Sequence, residues 1–114
     1  MKETNIQITQ GDARVLPFQI RNKVTQELLD QSGGHVFFTL KNIDDDAEND
    51  DNALISIKQS ATGTCTNLLL LPEHTSIPLG KYKYDIQYVD SFGSPFTYFI
   101  GICEITKQVT VRTA

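Results

Sequence analysis

Residues Lys81 to Asp90 read Lys-Tyr-Lys-Tyr-Asp-Ile-Gln-Tyr-Val-Asp, and this stretch decides the fold. Tyr82, Tyr84, Ile86 and Tyr88 fall on one side of an extended chain; Lys81, Lys83, Asp85 and Gln87 fall on the other. A period of two is the signature of a strand with one face on a core and one face in water. Gly80 precedes it, where a tight turn must end. Asp85, on the polar face, is positioned to pair with a cross-strand lysine.

Working outward, the same period recurs. Ser91-Phe92-Gly93-Ser94-Pro95 is a hairpin-type connection into Phe96-Thr97-Tyr98-Phe99-Ile100. Past Gly101 the apolar phase slips from even positions (Phe96, Tyr98, Ile100, Ile102) to odd ones (Ile105, Val109, Val111). A one-residue slip turns every side chain over, so a bulge at Gly101 or a strand break is expected. Upstream, Ile6 and Ile8 share a face, Gly11-Asp12 turns the chain, and Leu16, Phe18 and Ile20 alternate with Pro17, Gln19 and Arg21. Pro17 marks an edge or a bulge because it removes a ladder donor. Gln31-Ser32-Gly33-Gly34 opens a strand with Val36, Phe38 and Leu40 inward. Ile55 and Ile57 define another, and Leu68 to Leu71 a buried one. Pro72 to Ile77 leaves room for one helical turn before Pro78. Seven or eight short strands separated by turns predict an all-β fold, a single antiparallel β-sandwich filling residues 1–114 as one domain.

Composition narrows the function classes. The chain has 114 residues, 39% hydrophobic and 21% charged, with a formal charge of −4. An acidic balance argues against nucleic acid as the main partner, since phosphate contacts need a cationic surface. Yet the acidity belongs to one segment: Asp44 to Asp51 holds six of the fourteen acids, and the other eight are outnumbered by ten bases. Met1 to Gln10 alternates and lacks the apolar core of a signal peptide. The longest apolar run, Leu68 to Leu71, is far short of the roughly 20 residues that span a bilayer. Synthesis in cytosol without membrane insertion is therefore expected. Cys65 and Cys103 are then expected as two reduced thiols, although their separation of 38 positions is one that a disulfide between two sheets would also fit.

Residues with reactive side chains form no recognised constellation. The acidic loop offers Asp44, Asp46, Glu48 and Asp50 as oxygen donors for calcium or magnesium, but it lacks the glycine and glutamate spacing of an EF-hand. A solvated loop held open by like charges is the simpler reading. His35 and His74 share no zinc-ligand spacing with each other or with a cysteine. No serine sits in a nucleophile-elbow motif, and Gly33-Gly34 has no helix behind it to cradle phosphate. The expectation is a protein that is not an enzyme and needs no cofactor. Tyr82, Tyr84, Tyr88, Phe96 and Tyr98 would make either a core or a sugar-stacking row. Phe37, Phe92 and Phe99 fall on the phase opposite that core, which marks them as interface candidates.

Several segments, in order, carry a resemblance. Ile8-Thr9-Gln10-Gly11-Asp12 with Leu16-Pro17-Phe18, Asp30-Gln31-Ser32-Gly33 before Val36-Phe37-Phe38-Thr39-Leu40-Lys41, and Asp51 to Ile55 form the first half. Leu79 to Gln87, Ile100-Gly101 and Val109-Thr110 form the second. The set resembles the immunoglobulin-like domain at the N-terminus of phage baseplate upper proteins and similar stand-alone virion proteins, from about Ile6 to Thr110. The loops at 44–51 and 72–78 depart from that pattern. The resemblance implies an immunoglobulin-like sandwich, a place in the virion after synthesis in the host cytoplasm, and other phage proteins as partners in a symmetric, multi-copy assembly. A tail or baseplate adaptor is the leading expectation; a capsid decoration protein and a carbohydrate-binding adsorption module are the alternatives. The family carries no catalytic residues.

Overall fold

A computed structural model describes residues 2–21, 24–45 and 53–107. In chain order the elements are β1 (Lys2–Glu3), β2 (Ile6–Thr9), β3 (Arg14–Phe18), β4 (His35–Asn42), β5 (Ile55–Ser60), β6 (Thr66–Leu70), α1 (Pro72–Thr75), β7 (Gly80–Val89) and β8 (Pro95–Thr106). The alternating stretch is β7, at the centre of a large sheet ordered β5-β4-β7-β8, with β1 and β2 both on the far side of β8. β3 and β6 pair in a second, two-stranded sheet. The protein is thus an all-β sandwich. Val109 and Val111 lie outside the described residues, as does most of the acidic loop.

The expectation of wholly antiparallel pairing is corrected at the N-terminus: β1 and β2 run parallel to β8. Hairpins impose antiparallel pairing, but these pieces meet a strand from the far end of the chain, and no tight turn fixes their direction. β2 then leaves the large sheet through the Gly11 turn and enters the small one as β3.

Apolar side chains from both sheets meet between them. Phe18, Leu68 and Leu70 from the small sheet face Val36, Phe38, Leu40, Cys103 and Ile105 from the large one, all buried. Removing each of the Val, Leu, Ile and Phe side chains from water contributes roughly 1.5–3 kcal/mol. Tyr82, Tyr84 and Tyr88 are buried beside them, and Tyr84 stacks on Phe38 with centroids 5.7 Å apart.

The slip in apolar phase is absorbed earlier than the sequence predicts. Ile86 pairs with Phe99 but Gln87 pairs with Thr97, so Tyr98 is the extra residue of a bulge. β8 is continuous through Gly101. From the bulge onward the inward positions are Phe99, Gly101, Cys103 and Ile105, while Ile100 and Ile102 face outward. Gly101 serves a close approach instead. A Cβ there would lie 2.0 Å from the Thr4 carbonyl oxygen, where the N-terminal strand breaks between β1 and β2. Tyr84 Oη donates to that same carbonyl, and Ile102 N donates to Asn5 Oδ1 at 3.1 Å.

Two polar devices tie the layers together. Gln31, fully buried, donates from Nε2 to Phe18 O at 2.9 Å and accepts from Thr66 Oγ1 at 2.7 Å. Its backbone carbonyl accepts from Tyr88 Oη at 3.1 Å, which joins the small sheet to β7. Where α1 leads into β7, Tyr82 Oη donates to Pro78 O at 2.6 Å. This bond pins the start of β7 to the turn that precedes it. α1 is the single turn expected after Leu71, held at its start by Leu71 N donating to His74 Nδ1 at 3.0 Å.

Candidate interaction surface

Alternation that buries one face of the large sheet presents the other. Along β4, β7 and β8 the outward residues fall in rows across the sheet. Phe37 stands beside Gln87 and Thr97, Thr39 beside Asp85 and Ile100, and Lys41 beside Lys83 and Ile102. These outward side chains are half-buried, because neighbours on a pleated face shield one another. Phe37 lies under the Lys58 ammonium, 5.8 Å from the ring centroid, so the lysine stem covers part of an otherwise apolar ring.

Asp85 lies in the middle of this face. With Thr39, Lys41, Lys83, Ile100 and Glu3 it lines an open hollow of about 390 Å³. Burial pushes its carboxyl above the ordinary carboxylate range, and the Lys41 charge diagonal to it on β4 pulls the other way. The predicted cross-strand lysine is therefore Lys41, acting by its field. Lys83 donates from Nζ to the Asp45 carbonyl instead. An acid held at an energetic disadvantage between two isoleucines and two lysines is suited to receive a partner's hydrogen-bond donor or cation.

Phe92 stands apart at the tip of the β7–β8 turn, 92% exposed. A third apolar surface lies on the outer side of the small sheet, where Val15 and Leu69 pair across the strands and Leu71 follows, each exposed. Leu69 N also donates to Gln59 Oε1 and Gln59 Nε2 donates to Asn67 O, so one amide closes the gap between the edges of β5 and β6.

In comparison with known proteins, the chain matches no family model and no curated protein.

Of the predicted interface residues, Phe37 and Phe92 face outward. Phe99 is corrected: the bulge at Tyr98 turns it inward, where it meets Phe18 edge-on at 6.0 Å. Ile100 and Ile102, assigned to the core from sequence, take the outward places. The odd-numbered phase of Cys103 and Ile105, followed backward, was the signal that could have found them. Tyr82, Tyr84 and Tyr88 are buried and Tyr98 packs against the core, so the sugar-stacking row is not on the surface. Phe96 is the exposed member of that set.

Asp44 is exposed; Asp46, Glu48 and Asp50 lie outside the described residues. Among the described residues, no three of His, Cys, Asp and Glu gather where a metal ion would be held. His35 starts β4 on the outer face, and His74 holds the α1 turn. Cys65 and Cys103 are free, and burial pushes the Cys103 thiol up to about 11. Among the described residues, no helix is long and apolar enough to cross a membrane.

Proposed function

We propose that this chain is a non-catalytic, immunoglobulin-like adaptor of a phage particle, assembled into the tail or baseplate through protein–protein contacts. The observation that carries this reading is the outward apolar set on the large sheet, beside a core whose buried polar groups bond within the protein. Phe37, Ile100 and Ile102 interrupt a lysine-bearing face, and Phe92 projects from a turn. Gln31, Tyr82, Tyr84 and Tyr88, by contrast, direct their polar atoms to the protein's own backbone. The ordered resemblance to baseplate upper protein domains supplies the setting. A small domain becomes useful there because symmetric repetition makes weak contacts act together.

Contacts with other virion proteins would be centred on Asp85 and the surrounding isoleucines, with Lys41, Lys58 and Lys83 steering an acidic partner surface. Mass spectrometry of separated heads and tails, from purified particles of the phage that encodes the chain, tests the reading. Recovery with tails in many copies per particle is the expected result. Recovery with heads alone would make it a capsid decoration protein, and absence from both would overturn the virion assignment.

A further inference from the structure

The β7–β8 turn is built to hold out one ring. Asp90 Oδ1 accepts from Phe92 N at 3.0 Å and from Ser94 N at 2.9 Å, and Asp90 N donates to Ser94 O at 3.1 Å. Gly93 closes the turn at a φ of 84°, in the left-handed region that glycine enters without strain. A side chain on a pre-ordered turn loses less freedom on binding than one on a loose loop. The turn also lies against Gly33, so Asp30 and Asp90 stand at the same end of the molecule as Phe92.

Farther back along β7 the sandwich is open at one side. Ile6 of β2, Leu16 and Pro17 of β3, Ile86 and Phe99 line an apolar crevice of about 130 Å³ between the two sheets. Apolar cavities of about 150 Å³ accept a benzene ring. Ile6 also borders an adjoining hollow that contains Arg14 and Lys81 against the single acid Glu104. Glu104 accepts the Gln7 amide at 3.0 Å. Two cations, Arg14 and Lys81, thus lie on the Ile6 side of the crevice, while Glu3 adjoins Thr4 of its lining, and the projecting ring is accompanied by two carboxylates.

We propose that Phe92 of one copy seats in the Ile6–Leu16–Phe99 crevice of a second copy, a head-to-tail contact guided by Asp30 and Asp90 toward Arg14 and Lys81. Knob and hole lie at different places on the surface, so the contact is heterologous, and its repetition closes a ring or extends a filament. This deepens the adaptor reading by naming a partner, a second copy, and rests on that reading only for its biological setting.

Sedimentation velocity on the purified full chain at rising concentration reads the contact directly. Wild type is expected to associate, less so at high salt because the charges are screened. Phe92→Ser, at an exposed turn position, and Pro17→Glu, on the crevice rim, should each weaken association about tenfold or more while the far-UV spectrum stays the same. Mixing the two variants should restore dimers but nothing larger, because the intact ring of one meets the intact crevice of the other. Asp30→Lys, on an exposed side chain, gives an independent arm and should weaken association most at low salt. A wild-type chain that stays monomeric at every concentration, or a mixture that fails to form dimers while wild type associates, overturns the proposal. Neither result touches the adaptor reading, which the fractionated particles judge separately.

Discussion

Truncating Gln31 would leave the Phe18 carbonyl and the Thr66 hydroxyl without their partner inside the sandwich. Each buried polar group left unsatisfied costs about 1–3 kcal/mol. Gln31→Ala is therefore expected to lose about 2–4 kcal/mol in urea unfolding, with an unchanged dependence on urea. Asp85 works in the opposite sense. Its folded value is raised above the ordinary 3.8, so the fold favours the protonated carboxyl. That stabilisation is present below the unfolded value and is lost as pH rises through the folded one. Asp85→Asn should then raise the Tm at pH 7 and leave it little changed at pH 3, as calorimetry at the two pH values would show. A gain in stability on removing Asp85 would mark it as a residue kept for contact rather than for folding.

β8 is the element where sequence and structure part company, and the reason is local. Val36, Phe38, Leu40 and the tyrosines of β7 alternate without interruption, so their burial was legible from period two alone. In β8 both phases carry large apolar groups, and Phe96, Tyr98, Ile100 and Ile102 offered a plausible inward set. Only pairing with β7, which places the extra residue at Tyr98, decides that Phe99 goes in and the isoleucines come out. Gln31 was invisible for a related reason: a glutamine in a turn shows no periodicity, and its burial depends on strands distant in the chain. Gly101 ties these elements together. Gly101→Ala places a methyl group against the Thr4 carbonyl, so β1 must shift away from β8. The expected result is faster amide exchange at Thr4 and in β2, with exchange in β4 little altered, and a loss of about 1–3 kcal/mol.

Over the whole molecule, ionisable groups in the core set an upper limit on pH. Burial raises the Cys103 thiol from 9.0 to about 11, and it raises the Tyr84 and Tyr88 hydroxyls above 10.0. The unfolded chain releases these protons first, so stability falls as pH rises from about 9 toward 11. Thermal melts across that range should show a falling Tm, and Cys103→Ala should reduce the slope. The same physics predicts that Cys65, half-buried and near the surface, reacts with a thiol reagent well before Cys103 does, because the thiolate is the nucleophile. Acidity concentrated in residues 44–51 was legible from sequence, but the lysine-bearing outer face was not, since it arises only when β4, β7 and β8 lie side by side. The central claim is that this chain acts through those outward side chains. Hydroxyl-radical footprinting of the chain, free and within the phage particle proposed to contain it, tests it most directly. Phe37, Phe92, Ile100 and Ile102 are predicted to lose labelling on assembly while Val24, itself 91% exposed, keeps it; equal labelling of all five in both states would contradict the account.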